Sequence, residues 1–227
     1  MLFSDVAERV AEVRGRIGDA VARGGFGQQV TLIAVTKTHG PEAVEAAWRA
    51  GVGDVGENRV QEAVAKMADV QVPVRWHLIG HLQRNKVRLV DDFALLHAVD
   101  SPRLADAVHD HGIRRGRAVD GLLQVNVSGE DTKGGLASGE VRAEAERLAG
   151  RPGLRVCGVM TMAPFGAGEA VLRATFAGAR EACAAVREAG HPAHVLSMGM
   201  SEDFEIAVEE GATHVRLGTL LFGARAQ

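Results

Sequence analysis

Apolar and polar positions follow two rhythms along this chain, and the two rhythms take turns. Over the first 24 residues Val6, Val10, Val13 and Ile17 recur at helical spacing behind Ser4, a plausible helix cap, and Gly24-Gly25 closes the run. From Val30 onward short apolar runs predict strands at 30–35, 54–58, 76–80, 94–99, 121–127, 154–162, 194–198 and 215–222. Ala-rich amphipathic stretches between them predict helices at 41–50, 59–68, 83–90, 102–111, 138–149, 168–189 and 201–210. A parallel β/α pattern of eight strands with an extra helix in front satisfies either an open doubly wound sheet or a closed barrel. Eight regular units in about the length of a compact barrel favour closure. The expectation is an α/β fold: a single-domain (β/α)8 TIM barrel with an extra N-terminal helix, spanning residues 1–227. Function then belongs on the loops at the C-terminal ends of the strands.

Composition narrows the field. With 46% hydrophobic and 24% charged residues and a mean hydropathy of +0.00, the chain reads as globular. A net charge of −3 gives no broad basic face, so nucleic acid is not expected as a partner. No run reaches the roughly 18 apolar residues of a membrane span, and a membrane partner is not expected. The start, MLFSDVAERV, carries Asp5 and no basic segment ahead of an apolar one, unlike a signal peptide. Cys157 and Cys183 form no disulfide framework or metal knuckle, which points to reduced thiols and a cytoplasmic location. The chain contains no tyrosine.

Strand alternation selects the candidate chemistry. In VTLIAVTK, Thr31, Ile33, Val35 and Lys37 share a face, which puts Lys37 at the end of the first strand, aimed at the barrel mouth or out into solvent. An amine held against apolar neighbours has its charged form disfavoured, as Schiff-base chemistry requires. In HVRLGTLLFG, Arg216 lies opposite Val215 and Leu217 and looks into the barrel, either toward an anion or acceptor or in a structural ion pair. The segments 197–204 and 216–223 supply Gly199 and Gly218 for close backbone approach and Ser201 and Thr219 as hydroxyls, a combination suited to phosphate. Ser201 also reads as a helix cap followed by Glu202 and Asp203. Asn58 either touches a ligand or caps the following helix. His77 and His81 stand four apart, but not on a helix and with no acid or cysteine at metal spacing, so no metal is expected. The segment 129–135 lacks P-loop spacing and reads as a mobile loop, with Lys133 an anion contact or solvated. No Gly-x-Ser-x-Gly elbow or Cys-His pair supports hydrolase chemistry.

Six segments carry a resemblance: AVTKT (34–38), GENRVQEA (56–63), WHLIGHLQRNK (76–86), LQVNVSGEDTKGG (123–135), GVMTM (158–162) and LSMGMSEDFEIAVEEGATHVRLGTLLFG (196–223). In order and over nearly the whole chain, they resemble the pyridoxal-phosphate homeostasis proteins, also called YggS or PROSC. The resemblance implies an alanine-racemase N-terminal-like barrel that binds pyridoxal 5′-phosphate (PLP) as a Schiff base on Lys37. It places Arg216 against the pyridine nitrogen, the phosphate on Ser201, Gly218 and Thr219, with Ser197 and Met198 beside it, and Asn58 near the ring. It also implies a role in intracellular PLP homeostasis, by buffering or by delivery to apo PLP-dependent enzymes, with no catalytic residues. Arg59 and His39-Gly40 depart from the usual family residues at the rim of the site.

Two other readings stay in view. A PLP-dependent amino-acid racemase of this barrel type needs a second base, commonly a tyrosine from a further domain; this chain has no tyrosine and only His77 or His81 as substitutes. A cofactor-free aldolase-type barrel would use Lys37 directly on a carbonyl substrate. Without the racemase's second domain, a monomer is favoured.

Overall fold

The first strand sets the arrangement. In this computed structural model, which describes residues 3–130 and 133–223, β1 (Thr31–Val35) turns Leu32 and Ala34 outward to the apolar layer beneath the helices and Ile33 and Val35 inward. The two ends of the 1–227 domain reading (residues 1–2 and 224–227), and Asp131 and Thr132 within the 129–135 loop, lie outside the described residues. Around β1 the remaining strands are β2 (Asp54–Glu57), β3 (Arg75–Leu78), β4 (Phe93–Val99), β5 (Val119–Asn126), β6 (Leu136–Ala137), β7 (Leu154–Met160), β8 (Val195–Ser197) and β9 (His214–Leu217). They pair in the order β4-β3-β2-β1-β9-β8-β7-β5, and β4 pairs with β5, so the sheet closes on itself. Every pairing is parallel, as βα units demand. The expected eight-stranded barrel is the observed one. The two-residue β6, absent from the expectation, pairs with the end of β5 outside the ring and follows the 129–135 loop.

Helices fill the outside: α1 (Val6–Gly24), α2 (Pro41–Arg49), α3 (Val60–Asp69), α4 (Pro102–Arg114), α5 (Val141–Leu148), α6 (Glu169–Glu188), α7 (Phe204–Glu209) and α8 (Thr219–Phe222). The extra helix α1 buries Val6, Val10, Val13, Ile17 and Ala20, the spacing read from the sequence, and ends where Gly25 takes φ 72°. Its cap position is Asp5 rather than Ser4, whose hydroxyl donates to the Asp5 carboxylate at 2.8 Å. The stretch expected as a helix at 83–90 is a 3-10 segment, Arg84–Leu89. Only Val87 is buried along it, so it lacks the apolar stripe that would dock an α-helix. The run at 215–222 is not one strand: β9 stops at Leu217 and the chain coils at Gly218, whose carbonyl accepts from the Leu221 and Phe222 amides at 2.9 Å each. A short apolar run is equally compatible with buried strand and buried helix, and here it is both in succession.

Leu95, Ala98, Leu122, Cys157, Met160 and Val195 form a small apolar cluster apart from the main core. The larger core lies between barrel and helices. No helix among the described residues is long and apolar enough to cross a membrane.

Candidate functional site

Lys37 lies two residues beyond the end of β1, in a turn where Thr38 takes φ 70°. That turn is held from below. Glu57, at the end of β2 and 1% exposed, accepts from Thr36 Oγ1 at 2.6 Å and from Lys66 Nζ at 2.5 Å; Lys66 also donates to the Thr36 carbonyl at 2.9 Å. The helix α3 thus reaches under the loop that carries Lys37 and fixes its root.

The C-terminal ends of the strands enclose a cavity of about 520 Å³, lined by Val35, Lys37, Asn58, Ile79, Gly80, His81, Asp100, Gln124, Lys133, Gly134, Met162, Met200, Ser201, Arg216, Gly218 and Thr219. Its volume falls in the range of small-molecule sites. Six of the eight residues selected from the sequence, Lys37, Asn58, Ser201, Arg216, Gly218 and Thr219, line it together. They come from the ends of β1, β2, β8 and β9, the positions where a closed barrel gathers its loops.

The other two lie elsewhere. Met198 is fully buried in the core between barrel and helices. Ser197 is also fully buried but faces inward, where it bonds Arg216 beneath the cavity. Alternation along this strand explains the split: Ser197 points in and Met198 out.

Local geometry decides between the alternatives left open for single residues. Ser201 does not cap a helix: α7 begins at Phe204 behind Asp203, and Asp203 Oδ1 accepts from the Met200 amide at 2.6 Å. Asn58 does not cap α3, which starts at Val60 behind Arg59. Arg216 is 5% exposed and, among the described residues, forms no ion pair; its guanidinium donates to Ser197 Oγ at 2.7 Å and to the Thr161 carbonyl at 3.0 Å. Burial lowers its pKa to about 10, and the group remains charged at neutral pH. Gly199 is required where it stands: φ is 93°, and a Cβ would approach Ala207 Cβ to 2.7 Å and Phe204 Cα to 2.9 Å. This packs the loop bearing Met200 and Ser201 against α7, while the Gly199 carbonyl accepts the Arg216 amide at 3.0 Å.

Charge across the cavity is lopsided. Among the described residues, Lys37, Lys133 and Arg216 line it with a single acid, Asp100, which is hydrogen-bonded to His81 at 2.6 Å. Lys133 pairs with Glu130 and donates to the Met162 carbonyl at 3.4 Å. His77 is absent from this cavity and lies in the barrel interior. Among the described residues no three His, Cys, Asp or Glu side chains are placed to hold a metal ion. Ile79, Asp100, Gln124, Met162 and Met200, which the sequence does not single out, also wall the cavity, and His97 is a buried partner of Ser197. Asp100 had a signal, an acid directly after a predicted strand. The apolar walls had none that separates them from ordinary core.

A closed parallel barrel with a lysine after its first strand and an arginine in its last defines a class, and over residues 20–226 the chain matches the family described as alanine racemase, N-terminal domain. It is 39% identical to the pyridoxal phosphate homeostasis protein of Aquifex aeolicus, over 97% of this chain and 99% of that one. It is 41% identical to the protein of the same name from Pseudomonas aeruginosa, over 98% of this chain and 97% of that one. PipY of Synechococcus elongatus, solved without PLP and with PLP bound, is 38% identical, with TM-scores of 0.87 and 0.85 over 96% of this chain and 100% of that one. The chain belongs to the pyridoxal phosphate homeostasis protein family.

Proposed function

We propose that this chain binds pyridoxal 5′-phosphate in the cavity at the C-terminal mouth of the barrel and takes part in PLP homeostasis, buffering the cofactor or handing it to apo-enzymes, without catalysis of its own. The observation that carries the reading is the meeting of an amine (Lys37), a buried guanidinium (Arg216) and two hydroxyls (Ser201, Thr219) in one cavity of about 520 Å³. Among the described lining residues, three cations against one histidine-bonded acid suit a phosphorylated aldehyde. PipY, solved with PLP bound, and the curated relatives named for PLP homeostasis support the same reading.

When bound, the cofactor supplies an aldehyde for an amine and a pyridine ring that withdraws electrons. In this reading Lys37 holds the aldehyde carbon. Ser201, Thr219 and the backbone at Gly218 would hold the phosphate, and Ser197 would act through Arg216. Asn58 lies beside the ring, and Arg216 meets its nitrogen. A guanidinium donates and does not accept, so Arg216 gives the ring nitrogen a hydrogen bond and no proton. An unprotonated ring is a poor electron sink, which fits holding the cofactor better than using it. Racemization would need a second base. This chain has no tyrosine, and the histidine lining the cavity, His81, is largely exposed and bonded to Asp100.

The reading treats residues 1–227 as one domain and the protein as a cytoplasmic monomer. Two buried free thiols, Cys157 and Cys183, support the reducing location. The test is transfer. The PLP-loaded protein, freed of unbound cofactor, is mixed with an apo PLP-dependent enzyme. The expected result is recovered activity of the acceptor with matching loss of the yellow absorbance of the donor. A donor that keeps its colour while the acceptor stays inactive reduces the role to binding, and a protein that takes up no PLP overturns the reading.

A further inference from the structure

The barrel interior beneath the cavity holds an unbroken line of polar contacts. Arg216 Nη1 donates to Ser197 Oγ at 2.7 Å, and Ser197 Oγ lies 2.8 Å from His97 Nδ1. His97 Nε2 lies 2.9 Å from His77 Nδ1, and His77 Nε2 lies 2.9 Å from Asp54 Oδ1. Arg75 closes the far end by donating to Asp54 Oδ2 at 2.7 Å. Ser197 and His97 are fully buried, and His77, Arg216 and Asp54 are 4%, 5% and 7% exposed. The line crosses the whole barrel. Asp54, Arg75 and His77 line a second cavity of about 500 Å³ at the opposite mouth, together with Thr31, His194 and His214.

The chemistry of the ends gives this line a direction. A guanidinium cannot accept, so Ser197 accepts from Arg216, which leaves its own proton available to His97 Nδ1. A neutral His97 then carries its proton on Nε2 and gives it to His77 Nδ1, which leaves the His77 proton on Nε2, facing Asp54. Burial holds His97 well below the usual histidine range, so it is neutral. Burial alone would raise Asp54, but hydrogen bonds from His77 and Arg75 outweigh it and keep the acid ionised. Each donor in the line is polarised by the one before it, which strengthens all of them together.

We propose that Ser197, His97, His77 and Asp54 are positioning residues for Arg216, a one-way hydrogen-bonded chain that fixes the guanidinium at the cofactor mouth and ties its orientation to the opposite mouth of the barrel. The proposal rests on the reading that Arg216 meets the cofactor ring. The charged and titratable groups facing the two histidines are Asp54 from β2, Arg75 from β3, and His214 and Arg216 from β9, with His77 and His97 facing each other.

The first test needs no cofactor. Nitrogen-15 NMR of the apoprotein at neutral pH is expected to show His77 and His97 protonated on Nε2 and bare on Nδ1; any other pattern at either ring overturns the chain. The second compares loaded variants. His97→Phe is expected to shift the visible absorption maximum and speed PLP release about tenfold, the weight of one buried hydrogen-bonded link. His97→Gln, which offers an acceptor and a donor, recovers part of both. Variants that lose stability in urea yet keep the wild-type spectrum and release rate show a merely structural role and overturn the proposal. If His97→Phe does not fold, Asp54→Asn at the far mouth serves, with about two- to threefold faster release expected and no change counting against the chain. Wild-type protein that takes up no PLP would sink the functional reading, and the tautomer pattern would still judge the chain.

Discussion

Ser201 and Thr219 bring hydroxyls to the cavity from two different loops, and their value is a matter of single hydrogen bonds. Ser201→Ala and Thr219→Val are each expected to weaken PLP binding about ten- to a hundredfold, the worth of one bond to a charged group. Binding of pyridoxal, which lacks the phosphate, should stay the same; equal loss for both ligands in equilibrium titration would remove these hydroxyls from the phosphate. At this scale strand parity made much legible. Alternation alone made Lys37 and Arg216 candidates, each with a solvent or structural ion-pair alternative left open, because a strand end in a barrel has only two directions to point. His97 stayed hidden because FALLHAV reads as a plain apolar strand and its partner Ser197 lies 100 residues further on. Ser201 looked like a cap because Asp203, two residues later, was not seen to take the Met200 amide.

Between elements, the clamp under Lys37 is the strongest link to the site. Glu57 of β2 is 1% exposed at its side chain and Lys66 of α3 is 10% exposed, so water screens their 2.5 Å pair little. Lys66→Met leaves Glu57 charged and unpaired in the interior and is expected to cost about 3–5 kcal/mol in urea unfolding. The double variant Lys66→Met with Glu57→Leu should regain much of that loss, and a single variant as stable as wild type would contradict the clamp. The pair was illegible beforehand because nothing in GENRVQEAVAKM marks one glutamate as buried. Element types were legible wherever an amphipathic stripe was long, as in α1 and α6. They failed at 83–90, with one buried anchor, and at 215–222, where a continuous apolar run serves strand and helix alike.

For the molecule as a whole, a barrel that buries neutral histidines ties stability to pH. Burial lowers His214 to about 4 and His97 well below its usual range. Unfolded, both rings take up a proton below about pH 6.5. The unfolded state therefore binds more protons as pH falls from about 6.5 toward 4, and folding stability drops through that window, by on the order of 3 kcal/mol at His214. Asp54, held below its usual range, adds its own loss only at still lower pH. Urea midpoints should fall between about pH 7 and pH 5, whereas a level or rising midpoint would contradict this burial of neutral rings. Closure of the barrel was legible from the count of alternating units, while the hydrogen-bonded line through its centre was not, since its link from β4 to β8 joins strands that are not neighbours and meet only across the closed interior. The central claim is that Lys37 holds PLP at the C-terminal mouth. Borohydride reduction of the PLP-loaded protein followed by peptide mass mapping tests it most directly. The account predicts a yellow band that bleaches and a phosphopyridoxyl mass on the peptide carrying Lys37. An adduct on another lysine with Lys37 unmodified, or a protein that stays colourless with PLP, would contradict it.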